Sequence, residues 1–114
     1  MMQIIVNADD YGIAENQTEA ILRCFRQGLI TSTTIMVTMP DFWRAAGRAK
    51  EECVFDKIGL HFNLTEGLPL TERIRKFPIF CAPDGSFNKI FHQSTKKQTE
   101  KQNTKNTKAH KSHF

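Results

Sequence analysis

At 114 residues the chain has room for one small hydrophobic core and not for two independent domains. Its hydrophobic fraction of 39% fits a soluble globular protein, but the formal net charge of +4 is unevenly placed: residues 1–90 hold 10 Lys and Arg against 11 Asp and Glu, whereas residues 91–114 hold 6 Lys against 1 Glu. A near-neutral body argues against nucleic acid or an anionic membrane as partner, so the basic character belongs to the end of the chain alone.

Cys24, Cys53 and Cys81 are odd in number and widely spaced, with no C-x-x-C pair, so neither a disulfide framework nor a zinc ribbon is indicated and a reducing cytoplasm is the expected location. The apolar runs fall far short of the ~20 residues a membrane span requires. Asn16-Gln17-Thr18 and Asn63-Leu64-Thr65 match the glycan acceptor pattern, which has no use without secretion.

The first expected element is a strand over residues 3–8, a β-branched apolar run without alternation, as in a strand covered on both faces. A helix follows over about 14–26, where Ile21, Phe25 and Leu29 recur at helical spacing and Gly28 stands where a helix terminates. Residues 31–38 form a β-branched second strand closed by Pro40, and a second helix runs from Asp41, as N-cap, to about Glu52. Residues 57–64 make a third strand, so the class is α/β with a parallel β-α-β-α-β order. Beyond Gly67, Pro69, Pro78 and Pro83 break up the apolar groups, which predicts a long loop with a turn at 83–86. Residues 92–114 form a polar, Lys-rich tail with almost nothing to bury, expected to be disordered, beside a body at 1–91.

Two groups could carry chemistry. Asp9 and Asp10 stand together at the C-terminal end of the first strand, where α/β folds place ligands. Adjacent carboxylates repel unless a cation or a shared proton separates their roles, as in a metal ligand beside a general base; the alternative is an Asp-rich helix N-terminus. His61, on the third strand, can face the same end of a parallel sheet, either as a ligand or as a hydrogen-bonded structural histidine.

NADDYG at 7–12, GLITSTTIMV at 28–37 and GLHFNLTEG at 59–67 together resemble, in order and spacing, the YdjC-like carbohydrate deacetylases, which include the chitooligosaccharide deacetylases. The resemblance covers roughly residues 2–90. It implies an irregular (β/α) barrel that removes the acetyl group from an N-acetylated sugar, using one divalent metal held by an Asp and two His. By matching positions, Asp10 and His61 would be metal ligands and Asp9 the general base. Magnesium is the ion usually named for the family, while imidazole ligation suits zinc or another first-row metal. The implied partner is an N-acetylated oligosaccharide, with a homodimer as one open assembly state.

Relatives of this kind are more than twice as long and supply the second His from an Asp-Ser-His-x-His-like motif further on. This chain is therefore expected to be a truncated and impaired deacetylase, or alternatively a non-catalytic sugar-binding or subunit-interaction remnant. His110 and His113 sit in the lysine-rich tail and match that motif only by chance; a shifted frame or early stop after about Phe91 accounts for the change of composition. Nothing in residues 1–90 is an evident acid for the departing amine.

Overall fold

Three short strands lie parallel in chain order, β1 (Asn7–Tyr11), β2 (Ser32–Ile35) and β3 (Ile58–Leu60), with α1 (Glu15–Arg26) and α2 (Phe42–Glu51) as their crossovers. This is the β-α-β-α-β order with which a (β/α) barrel begins. The computed structural model describes residues 1–89, and the chain divides into two units, Met1–Asn63 and Leu64–Phe114. The boundary expected at 91/92, the tail, and with it His110 and His113 lie outside the described residues.

In the first unit the core is a layer between sheet and helices. Thr18, Ile21 and Leu22 are the buried residues of α1, with Phe25 packed against the core one turn on; of the expected stripe Ile21 and Phe25 face the core, whereas Leu29 lies past the end of the helix and is exposed. On α2 the buried residues are Ala45 and Ala49, small enough to bring the helix close to the sheet, where Tyr11 is fully buried. Burying side chains of the size of Ile21 and Leu22 contributes about 1.5–3 kcal/mol each. Arginines from α2 tie the two helices together: Glu19 of α1 accepts from Arg44 at 2.8 Å and from Arg48 at 2.9 and 3.2 Å.

Both helices end in the same way. After α1, Leu29 N–H donates to the Cys24 carbonyl and Gly28 N–H to Phe25, with Gly28 at φ 69°. After α2, Val54 N–H donates to Ala49 and Cys53 N–H to Lys50, with Cys53 at φ 58°. Each is a Schellman cap that needs a left-handed residue; glycine adopts that conformation freely and cysteine at a cost.

The strands are shorter than expected and the first is displaced toward the C-terminus. Residues 3–6 have strand composition, but β2 begins at Ser32, whose partner is Asn7. Val6 is held by Thr31, which accepts from its N–H at 2.9 Å and donates to its carbonyl at 2.9 Å, while Ile5 is 80% exposed. A strand is defined by its partner, and propensity without one leaves apolar side chains in water. The third strand stops at Leu60, so His61 is the first residue past it, although its N–H still donates to the Ile35 carbonyl at 2.9 Å. Asp41 occupies the expected N-cap position of α2 without capping it; its carboxylate grips Arg44 instead, at 2.8 and 3.0 Å.

In the second unit, the stretch expected as a loop holds a single helical turn, α3 (Glu72–Arg75), and one antiparallel bridge, Cys81 with Phe87, both buried. The expected turn at 83–86 is present: Gly85 N–H donates to Ala82, and Asp84 accepts from the Ser86 N–H and hydroxyl at 2.9 and 2.6 Å. Among the described residues no helix is long and apolar enough to cross a membrane.

Candidate active site at the C-terminal ends of the strands

The site begins with an irregularity in β1. Ala8 pairs with Thr33 and Tyr11 with Ile35, so two residues of β1, Asp9 and Asp10, stand opposite one of β2. Asp10 is the extra residue of this bulge and takes a left-handed φ of 70°, which Asp tolerates better than most side chains. In a regular strand Ala8 and Asp10 would share one face, and Asp9 and Tyr11 the other. The bulge changes that alternation: Ala8 and Tyr11 both pack on the core side, and both carboxylates are released from it.

Tyr11 secures the arrangement. Its hydroxyl donates to the Ala45 carbonyl of α2 at 2.7 Å in the buried core, and burial pushes its pKa up to about 12, with the nearby Glu19 carboxylate adding to the effect. Gly12 follows at φ 90°; a β-carbon there would meet Ile35 Cγ1 at 3.4 Å and Phe42 Cα at 3.5 Å. Its N–H donates to the buried Thr18 hydroxyl at 3.2 Å, and its carbonyl accepts from Asp41 N–H at 3.2 Å. The chain after Asp10 is thereby fixed between α1 and α2.

At the end of β3, one residue past Leu60, His61 meets Asp10. His61 Nδ1 accepts a hydrogen bond from the Asp10 backbone N–H at 3.4 Å and lies 3.4 Å from Asp10 Oδ1, and both side chains are part-exposed, at 29% and 44%. Of the sequence-predicted residues, the structure brings these two together. Asp9 takes a different partner: its Oδ1 accepts from Asn7 Nδ2 at 2.9 Å, and Asn7 Oδ1 accepts from the Ser32 hydroxyl at 2.7 Å. A polar chain, Ser32–Asn7–Asp9, thus runs along β1 toward the Asp10–His61 pair. Asn63, two residues beyond His61, donates to the Thr38 hydroxyl at 2.9 Å and ties the loop after β3 to the loop after β2.

Sequence reasoning did not single out Asn7, Ser32 or Tyr11. Asn7 opens the NADDYG motif, and its i, i+2 relation to Asp9 was the available signal.

The donor chemistry suits a divalent cation. A carboxylate oxygen and an imidazole nitrogen that share one ion at about 2.1 Å, across an angle of about 90–110°, stand roughly 3.0–3.4 Å apart. The Asp10–His61 separation of 3.4 Å falls within that range. The set is incomplete: among the described residues no group of three His, Cys, Asp or Glu could hold a metal ion. A separate, open cavity of about 450 Å³ lies between the C-terminal turns of α1 and α2 and includes Thr31 and Lys57, at the opposite ends of the strands.

Listeria innocua carbohydrate deacetylase 2 is 46% identical over 70 residues, covering 61% of this chain and 28% of that protein. Yersinia enterocolitica chitooligosaccharide deacetylase is 41% identical over 68 residues, covering 60% and 26%. The carbohydrate deacetylase of Brevibacillus brevis is 36% identical over 88 residues, covering 77% and 34%. The chain thus spans about a quarter to a third of the length of these curated relatives. A solved structure from Enterococcus faecalis, whose description proposes cellobiose-phosphate cleavage, superposes with a TM-score of 0.68 at 31% identity over 79% of this chain and 36% of that one. The family profile described as YdjC-like protein matches residues 3–110, nearly the whole sequence, and the chain belongs to that family.

Proposed function

We propose that the chain carries the first part of the active site of a metal-dependent carbohydrate deacetylase, a hydrolase that removes acetyl groups from N-acetylated carbohydrates of the chito-oligosaccharide type. The observation that carries this reading is the approach of Asp10 and His61, residues 51 apart in sequence, to 3.4 Å at the C-terminal end of a parallel sheet. Support comes from the names of the relatives, which are carbohydrate and chitooligosaccharide deacetylases.

An acetamide carbonyl is a poor electrophile and water near neutral pH a poor nucleophile. A divalent ion, Mg²⁺ or a first-row metal such as Zn²⁺, supplies Lewis acidity against both barriers when bound. Asp10, through its carboxylate, and His61, through an imidazole nitrogen, are the residues that would hold it; Nδ1 would have to release the hydrogen bond it accepts from the Asp10 N–H to be the ligating atom. Asp9 is the general base: Asn7 occupies one lobe of its carboxylate and orients it, leaving lone pairs to accept the proton of the attacking water.

A second reading is a sugar-binding or subunit-interaction chain without catalysis. The observation that favours it is the same two-donor set, since catalytic sites of this type usually fix the metal with three protein ligands. Acetate release from N-acetylated chitobiose, with divalent metal in excess, separates the two. Weak release that disappears in Asp9→Asn is the expected result. Strong release that survives Asp9→Asn would remove Asp9 from the mechanism, and no release from wild type would favour the second reading.

A further inference from the structure

The pairing of β2 with β3 keeps one register: Thr33 with Ile58, Thr34 with Gly59 and Ile35 with Leu60, each pair 25 residues apart. The ladder stops there, and the chain after β2 enters a tight turn in which Met39 N–H donates to the Met36 carbonyl at 3.2 Å. The register reappears beyond the ladder. Asn63 Nδ2 donates to the Thr38 hydroxyl at 2.9 Å, a part-buried bond between side chains that are again 25 residues apart. It is a separate tie, at the end of the sheet where Asp10 and His61 meet.

His61 lies between two ties. Its own N–H donates to the Ile35 carbonyl at 2.9 Å, and two residues on, the Asn63–Thr38 bond holds the chain that leaves it. β3 is 3 residues long and is an outer strand of the described sheet, the kind of segment whose end opens locally unless something pins it. Placement matters for this residue. The bond that Nδ1 accepts from the Asp10 N–H is already long at 3.4 Å, and Asp10 Oδ1 is equally far. A small displacement of His61 therefore breaks that bond and takes the two side chains out of joint reach of one ion.

We propose that Thr38 is a positioning residue for the Asp10–His61 pair, acting through Asn63 to pin the chain that carries the imidazole. This rests on the metal reading above and deepens it, because it assigns the placement of His61 to the loop after β2, which supplies no ligand of its own. The function needs one oxygen on a short, stiff side chain. Threonine provides it on a β-branched frame with restricted χ1, so valine keeps the shape without the oxygen and serine keeps the oxygen without the second branch.

Amide hydrogen exchange in the metal-free chain reads the placement directly. In Thr38→Val the Asp10 and His61 amides should exchange about fivefold faster, the effect of losing one neutral hydrogen bond. The Met36 amide, which donates to the Tyr11 carbonyl at 2.9 Å, should keep its rate. Thr38→Ser should return both amides to within about twofold of wild type, and in an Asn63→Ala background Thr38→Val should add nothing. Mn²⁺ binding at the pair should weaken in Thr38→Val by about the same factor as the exchange. Asp10 and His61 amides that exchange at wild-type rates in Thr38→Val would overturn the proposal. So would an acceleration shared equally by Met36, which is general loosening, or one that persists when Asn63 is alanine. A wild-type chain that binds no Mn²⁺ would overturn the metal reading alone, since the exchange rates still decide whether Thr38 places His61.

Discussion

Replacing Tyr11 by Phe removes one atom from the centre of the fold, the hydroxyl that donates to the Ala45 carbonyl at 2.7 Å. The ring stays, so no cavity opens, and the loss is that of one buried neutral hydrogen bond, about 0.5–1.5 kcal/mol. For a unit of this size 1 kcal/mol lowers the melting temperature by about 4–8 °C, within reach of a circular-dichroism melt at neutral pH. The pH dependence follows from the same group. Its pKa rises from 10.0 to about 12 on folding, chiefly through burial, so the neutral phenol is favoured in the native state. The stability this contributes is fully present below pH 10 and is lost as pH climbs through about 12. Wild type should therefore lose stability over that window more steeply than Tyr11→Phe, in which the other alkaline groups titrate alike. Tyr11 is the only tyrosine, so ultraviolet absorbance follows its ionisation without ambiguity. A variant that melts with wild type, or a native tyrosine that titrates near 10, would refute the buried-anchor argument.

Glu19→Gln should weaken the tie between α1 and α2, and its signature is in acid. Arg48 and Arg44 hold the Glu19 carboxyl down to about 2, so its contribution is present above about pH 4.5 and fades as pH falls toward 2, and acid melts of the variant should lack that component. Cys53→Gly should stabilise the protein by about 0.5–1 kcal/mol, because glycine adopts the left-handed conformation at φ 58° without the cost a β-carbon incurs; an unchanged or lower denaturant midpoint would contradict the capping account. Asp9→Asn should abolish whatever acetate release the chain shows while leaving its melting temperature within about 2 °C of wild type, since Asp9 is exposed and, among the described residues, its carboxylate accepts from Asn7 alone.

Much of the fold was legible because helices declare themselves by spacing. Ile21 and Phe25 of the expected stripe are found against the core and Gly28 terminates α1 as read, whereas Leu29, past that cap, is exposed and the buried Thr18 was not part of the stripe. Strand limits were not legible to the same degree. Residues 3–6 have the composition of a strand but no ladder partner among the described residues, whereas NADDY is poor in β-formers and is β1 because Ser32 and Thr33 pair with it. The 3₁₀ turn at Phe55–Lys57 and the single turn of α3 are too short to leave a periodic signal. At the site, the convergence of Asp10 and His61 followed from strand order. The bulge that frees both carboxylates did not, because it depends on how Tyr11 and Ile35 register across two strands. Asp41 shows a related limit: its position before α2 was readable, but an arginine one turn away outcompetes the helix N-terminus for its carboxylate.

The central claim is that Asp10 and His61 jointly hold a divalent ion, and paramagnetic broadening by Mn²⁺ in the NMR spectrum of the labelled chain tests it most directly. The account predicts that substoichiometric Mn²⁺ broadens the resonances of Asp10 and His61 first, with neighbours such as Asp9 and Gly12 next. Mg²⁺ or Zn²⁺ in excess should reverse the effect, and Asp10→Ala and His61→Ala should each abolish it there. Broadening that bypasses both residues, or that persists around Asp10 once His61 is alanine, would mean that the two do not share an ion.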